Sequence, residues 1–509
     1  MTDATDWAIP FTLISTAFPS INIPPLLANT TAAENGPLIL AGVLLSLVVI
    51  YLASKIGGEI CARLDLPPVL GELVGGVVIG ISALNLLVFP ESGADSSSSL
   101  IMSFLQATSG TSPDVMSTIF ETQSEVIAIL SELGVVILLF EIGLESDLKE
   151  LIRVGPQAAV VAVVGVIVPF VSGMLGLIYL FGIPTVPAIF AGAALTATSI
   201  GITAKVLAEI QRLSSKEGQI IIGAAVLDDI LGIIILAVVA SLAKTGEIEV
   251  TNIVYLILSS AALLIGTIVI GRFLSPYFVA LVNELRTRGQ LLLTALIFAF
   301  ILSYVAAAIQ LEAILGAFVA GLVLAETEKR KELEEQVIPI ADMLVPVFFV
   351  TVGAKTDLGV LNPAVPSNRE GLIVAIFLIA IAIVGKMTSG LAVFGKDRVN
   401  RLAIGVGMIP RGEVGLVFVG VGSASGVLSS SLEAAIIMMV ILTTFVAPPL
   451  LRVAFREPKP DIAETGQTVL ERETSEPVQA LLDNQKIIDL EAQQPEQQGA
   501  EIAQEPKQD

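Results

Sequence analysis

Apolar runs of about 20 residues recur along nearly the whole chain, separated by short clusters of glycine, proline and charge. A helix of that length spans a hydrocarbon core of roughly 30 Å, and inside such a core every backbone amide and carbonyl must be satisfied within the protein. The repeated runs therefore restrict the chain to an all-α membrane protein. Mean hydropathy is +0.87, and 54% of residues are hydrophobic, above the roughly 45–50% of soluble domains.

The runs read as thirteen transmembrane helices, near 37–56, 68–89, 124–145, 155–181, 186–208, 218–243, 251–270, 289–309, 311–326, 337–354, 371–394, 400–424 and 431–453. Residues 1–36 form an N-terminal extracytoplasmic segment. Its apolar part, 8–28, is interrupted by Pro10, Pro19, Pro24 and Pro25 and reads as interfacial or re-entrant rather than as a signal peptide or a fourteenth span. Residues 454–509 form an acidic, Gln/Glu-rich tail, expected to be disordered. Of the net charge of −21, residues 457–509 supply −9, from 13 acids and 4 bases, which fits solvation and exclusion from anionic lipid. No nucleic-acid partner is expected. Alternate loops carry nearly all the lysine and arginine outside the spans, among them Lys149, Arg153, Arg212, Lys216, Lys329, Arg330 and Lys331. The positive-inside rule places those loops and the C-terminus in the cytoplasm. A single cysteine, Cys61, excludes a disulfide framework within one chain, and the absence of histidine leaves proton chemistry to carboxylates or lysine.

Two pairs of segments resemble each other. Residues 70–80, Leu-Gly-Glu-Leu-Val-Gly-Gly-Val-Val-Ile-Gly, read like 315–325, Leu-Gly-Ala-Phe-Val-Ala-Gly-Leu-Val-Leu-Ala. The ends of the third and tenth spans, 140–148 and 350–358, match in the same register. Each pair is seven spans apart, so its members cross in opposite directions. That is the inverted-topology repeat of secondary transporters, covering about 37–243 and 289–453, with the substrate site expected near mid-membrane at the repeat interface.

Charge inside a span is costly, by roughly 2.5–3.5 kcal/mol on insertion scales, so charged residues there are functional candidates. Asp228 and Asp229 stand together in the sixth span. Neighbours on a helix point about 100° apart, so one can face a cavity while the other turns to a neighbouring helix. Carboxylates can hold either a proton or a hard cation, which is what cation/proton competition requires. Lys386, in the eleventh span, either pairs with an aspartate or snorkels to water along its stem. Glu72 and Asp342 lie less deep. The fifth span is interrupted by Thr198, Ser199 and Gly201, and the twelfth by Pro410, Arg411, Gly412 and Glu413. Such interruptions free backbone groups that are tolerated only beside a cavity. Thr198 and Ser199 line that site or simply pack between helices. Arg411 and Glu413 balance the half-helix dipoles or form a structural ion pair.

These motifs, the run Leu195-Thr-Ala-Thr-Ser-Ile-Gly-Ile-Thr203, the pair Asp228-Asp229, Lys386 and Met408-Ile-Pro-Arg-Gly-Glu-Val-Gly-Leu416, together resemble the cation:proton antiporter-2 family, and within it the NapA-like sodium/proton antiporters. The resemblance covers about residues 37–453. It implies a NapA-like fold with two crossed, unwound helices, a homodimer, elevator-like alternating access and no cofactor beyond the transported Na+ and H+. It implies that Asp229 is the main ion- and proton-binding carboxylate and that Asp228 pairs with Lys386. Thr198 and Ser199 would line the site, with Glu413 nearby. The expected function is not enzymatic: Na+ or Li+ exchanged for H+, electrogenic as in relatives with paired aspartates, serving pH and sodium homeostasis. The expected location is a bacterial inner membrane, or a thylakoid membrane in a photosynthetic host. Alternatives are K+/H+ exchange, sodium-coupled symport of an organic anion, or an ion-sensing or channel-like protein. No Gly-rich phosphate loop follows a strand in the tail, so no dinucleotide-binding regulatory domain is expected.

Overall fold

A computed structural model describes residues 30–245, 250–285, 287–361, 366–395 and 399–456. The 8–28 segment and the tail from 457 lie outside the described residues. Among the described residues the regular structure is helical. In chain order the helices are α1 (Thr30–Arg63), α2 (Pro68–Ile79), α3 (Leu100–Ser109), α4 (Pro113–Glu145), α5 (Leu148–Phe181), α6 (Thr185–Ala194), α7 (Ile200–Glu209) and α8 (Lys216–Thr245). They continue as α9 (Val250–Glu284), α10 (Gln290–Ala308), α11 (Ala313–Ala325), α12 (Arg330–Ala354), α13 (Pro366–Leu391), α14 (Arg401–Gly407), α15 (Glu413–Ala424) and α16 (Ser430–Ala454).

Eight of these are long and apolar enough to cross a membrane: α1, α4, α5, α8, α10, α12, α13 and α16. They coincide with eight of the expected runs. Of the other five runs, four are occupied by shorter helices, and the run at 251–270 lies within the 35-residue α9. The run at 68–89 holds a 12-residue helix that ends at Ile79, and the capping Gly80 abuts the end of α12 so closely that a Cβ there would strike the Ala354 carbonyl. The chain then turns aside, with Asn85 at φ 51°. The runs at 186–208 and 400–424 are each two short helices, α6/α7 and α14/α15.

Local chemistry sets the ends. Asp147 caps α5, accepting from the amides of Lys149 and Glu150, and Gly182 at φ 65° closes it. Ser99 and Ser429 cap α3 and α16 through the amides of Met102 and Leu432. These side chains satisfy amides that the first helical turn cannot.

The helices pack as two groups. In one, α2 lies between α1 and α12, α11 and α12 both pack on α4, and α10 covers α11. In the other, α5 packs on α8, α6 and α13, while α13 also packs on α14 and α16. Two crossings in the first group are equivalent. Gly76 of α2 meets Gly353 of α12, and Gly321 of α11 meets Gly143 of α4. At each, a Cβ on either glycine would strike a backbone carbonyl of the partner: Val350 and Leu73 in the first case, Phe140 and Phe318 in the second. These are matched positions of the two resembling segment pairs. Small residues let backbones approach this closely where packing must replace the hydrophobic effect. Outward faces carry exposed apolar side chains, such as Leu40, Leu44, Val48 and Leu52 on α1 and Leu293, Ile297 and Ile301 on α10. In a bilayer that surface meets acyl chains or another apolar surface.

Candidate functional site

The two broken runs cross one another. Between α6 and α7 the chain passes through 195–199, and between α14 and α15 through 408–412. Backbone groups freed in one break are satisfied by the other. The Ser199 amide donates to the Pro410 carbonyl at 2.8 Å. The Thr198 hydroxyl donates to the Met408 carbonyl at 3.2 Å, and the Thr203 hydroxyl to the Gly407 carbonyl at 3.0 Å. Gly412 is required by contact: a Cβ there would sit 2.9 Å from Ser199 Oγ. The crossing thus gathers two helix N-termini, α7 and α15, and two C-termini, α6 and α14. Neither N-terminus is capped by a side chain of its own N-cap residue.

Arg411 is fully buried here. Its Nη1 donates to the Ala197 carbonyl at 2.6 Å and to the Thr196 carbonyl at 3.4 Å, so the guanidinium lies against the electronegative end of α6. The Thr444 hydroxyl of α16 donates to the Arg411 carbonyl at 2.6 Å and holds that backbone in place. Glu413 is the first residue of α15. Its side chain is not among those described, so the expected pairing with Arg411 lies outside them.

Beside the crossing, α8 presents the two aspartates in different directions. Asp228 is fully buried, and its Oδ2 accepts from Lys386 Nζ of α13 at 2.8 Å. Lys386 is itself fully buried, so it does not snorkel; Gly165 of α5 lies beside its ammonium. The second Asp228 oxygen, Oδ1, has no hydrogen-bond partner among the described residues. Arg411 and Asp229 both lie within electrostatic reach of Lys386. Asp229, only 7% exposed, turns instead to a small, partly open recess. Ala197, Thr198, Ser199, Ile200, Gly412 and Val414 from the crossed breaks line it, with Glu312 and Ile314 from the start of α11. The recess therefore offers carboxyl and hydroxyl groups, the oxygen chemistry suited to hard cations.

Sequence reasoning brought Asp228, Asp229, Thr198, Ser199, Lys386 and Arg411 into one region, and the structure places them there. It missed Glu312, which lies at a span boundary and shows its position only when α11 is laid against the recess. It also missed Lys205 of α7, a charge inside an expected span. Lys205 lies within electrostatic reach of Glu72 of α2, Glu141 and Glu145 of α4 and Glu209 of its own helix. Glu209 accepts from the Val69 amide at the start of α2, at 3.2 Å. Glu72 also accepts from the Ser54 hydroxyl at 2.9 Å. Asp342 is exposed on α12.

Comparison with known proteins places this arrangement. The model of the transmembrane sodium/hydrogen exchanger family matches residues 41–457. The high-affinity Na+/H+ antiporter NhaS3 of Synechocystis sp. is 67% identical over 446 residues, covering 87% of this chain and 97% of that protein. The Na+/H+-K+ antiporter GerN of Bacillus cereus is 33% identical over 414 residues, covering 80% of this chain and 95% of that protein. Among solved structures, the sodium proton antiporter MjNhaP1 of Methanocaldococcus jannaschii superimposes with a TM-score of 0.55 at 16% identity, over 82% of this chain and 99% of that one. That likeness bears on the fold.

Proposed function

We propose that this chain, which belongs to the sodium/hydrogen exchanger family, carries out Na+/H+ antiport by competition of the two ions for the carboxyl group of Asp229. Antiport itself follows from membership and from 67% identity to a Na+/H+ antiporter over nearly its full length. Our assignment of the site goes further and rests on one observation: Asp229 is a buried carboxyl that lines a recess at the crossing of two broken helices, beside Thr198 and Ser199.

In this reading a sodium ion that has shed most of its water is held by Asp229 and oxygens of the 197–199 break. A proton on Asp229 excludes it. Asp228, tied to Lys386 at 2.8 Å, is not the primary ligand but is coupled to it. A cation at Asp229 lowers the advantage of a positive charge on Lys386, which assists release of a second proton and makes exchange electrogenic. Arg411 holds the α6 end of the crossing in place, and Glu413 completes the charge balance.

The wider architecture follows the same reading: thirteen spans in two inverted repeats, within the cation:proton antiporter-2 branch. The matched glycine crossings, Gly76 with Gly353 and Gly321 with Gly143, support the repeat. The two helix groups support an elevator-like movement of the second group, which carries the aspartates, against the first, in a homodimer. The basic loops and the C-terminus are cytoplasmic. Potassium is the second candidate ion, because the relative of Bacillus cereus is named for both Na+ and K+.

Proteoliposomes with a trapped pH dye test the assignment. Addition of Na+ dequenches the dye with the wild-type protein, and Asp229→Asn abolishes the response at every pH. Exchange retained by that variant refutes the assignment. Repeating the assay with Li+ and K+, with and without a potassium/valinomycin clamp, reads out ion preference and electrogenicity.

A further inference from the structure

Two walls of the recess come from the crossed breaks, and they are fastened to one another. Ala197, Thr198 and Ser199 form one wall, Gly412 and Val414 the other. Arg411 reaches across between them, with Nη1 2.6 Å from the Ala197 carbonyl. Gly412 approaches so closely that a Cβ there would lie 2.9 Å from Ser199 Oγ. A shift of the peptide joining Arg411 to Gly412 is therefore passed directly to the Ser199 hydroxyl.

That peptide is anchored from outside the crossing, by α16. The Arg411 carbonyl belongs to neither α14 nor α15, so the ladder of neither helix supplies it with an amide. Among the described residues its donor is the Thr444 hydroxyl, at 2.6 Å. Thr444 Oγ1 also lies 2.8 Å from the Val440 carbonyl of its own helix, and a hydroxyl has one proton to give. The Val440 carbonyl sits inside α16, where the helical ladder already serves it. The Arg411 carbonyl, in a fully buried residue, has no such alternative and takes the proton. Thr443 gives the contrast. It is fully buried too, yet its hydroxyl bonds within α16, to the Met439 and Val440 carbonyls.

We propose that Thr444 is a positioning residue for cation selection: through the Arg411 carbonyl it fixes the Gly412 wall against Ser199 and so sets a preference of the recess for Na+ over K+. The inference rests on the reading of the Asp229 recess as the ion site. Alkali cations carry the same charge and differ in size, so oxygen ligands discriminate between them by spacing and rigidity. Once the hydrogen bond is lost the wall yields, and the larger ion is better accommodated.

The test measures KM for Na+ and for K+ in proteoliposomes with a trapped pH dye. Thr444→Val keeps the shape of the side chain and deletes the hydroxyl. It lowers the ratio of the K+ to the Na+ KM about fivefold, the scale of one buried hydrogen bond, while the maximal rate in Na+ stays within about twofold. Thr444→Ser restores the wild-type ratio. Thr443→Val removes an equally buried hydroxyl that serves only its own helix, and it leaves the ratio unchanged. A threonine with a merely structural role would alter yield or rate but not this ratio. Equal KM values for the two ions in the wild type, an unchanged ratio in folded Thr444→Val, or the same change in Thr443→Val overturns the proposal. If Thr444→Val fails to reach the membrane, loss of discrimination in Thr444→Ser overturns it as well. Asp229→Asn, assayed in parallel, keeps the two readings apart. Exchange surviving there removes the site assignment, whereas a silent Thr444→Val beside an inactive Asp229→Asn removes this inference alone.

Discussion

Substituting Lys386 by methionine keeps the shape of the side chain and deletes half of a fully buried ion pair 2.8 Å across. At an effective dielectric near 20, opposite charges at that distance attract by about 6 kcal/mol, which roughly offsets the several kcal/mol needed to desolvate each ion. The intact pair is therefore nearly neutral for stability, but either half alone is not. Among the described residues Asp228 then has no hydrogen bond on either oxygen, and the buried charge of Arg411 is left near it without a hydrogen bond to it. Asp228 escapes by taking up a proton, which from an ordinary carboxyl pKa of about 3.9 costs about 4 kcal/mol at pH 7. Lys386→Met should thus lose about 3–4 kcal/mol at pH 7. The folded variant then holds a proton that the unfolded chain does not, so stability rises by about 1.4 kcal/mol for each unit the pH is lowered. Asp228→Asn strands the ammonium instead and has the opposite slope: it recovers as pH rises, because the unfolded chain then holds the extra proton. Asp228→Asn combined with Lys386→Met should return to within about 1 kcal/mol of wild type with neither slope. The assay is unfolding of the four purified proteins in detergent at pH 5, 7 and 9. Additive losses in the double variant, or slopes of the same sign in the two single ones, would refute the argument.

Other consequences are equally direct. Gly143→Val or Gly321→Val must push α4 and α11 apart, because a Cβ at either position meets a backbone carbonyl of the other helix. Each should cost about 1–3 kcal/mol or more in detergent unfolding. Gly155→Ala, in a helix with nothing within 4 Å, should instead stabilise by about 0.5–1 kcal/mol. Arg411→Met leaves the Thr196 and Ala197 carbonyls without their donor and should lose about 2–4 kcal/mol, with Arg411→Lys intermediate, since both bonds come from Nη1 alone and an ammonium on a shorter stem replaces them only in part. Unfolding measurements of both check this.

Much of the candidate site was legible in the residue order, and the reason is local. Charge within an apolar run is penalised wherever the run ends up, so Asp228, Asp229, Lys386 and Arg411 stood out without any partner being known. Pro410 and Gly412 interrupt a helix through their own backbone chemistry, so the break at 408–412 was visible, and Thr198 and Ser199 marked the one at 195–199, whereas Gly201 lies inside α7. Lys386 was harder. Pairing and snorkelling make the same demand on sequence, and the choice between them depended on whether α8 or water lay beside its ammonium.

Residues from separate helix groups had no such signal. Glu312 sits at the edge of an apolar run, where a carboxylate is unremarkable, and it lines the recess because the short α11 begins beside helices remote in sequence. Arg411 was expected either to balance the half-helix dipoles or to pair with Glu413, and only the assembled crossing shows that its described hydrogen bonds run to carbonyls of the other broken run. The close approach of Gly80, at the end of α2, to the backbone of α12 likewise belongs to packing between helices remote in sequence. Helix formation, capping and the penalty on buried charge act over a few residues and leave their mark in the order of amino acids. Which groups then face one another across a cavity is set by helix packing, and that is fixed when the whole bundle comes together.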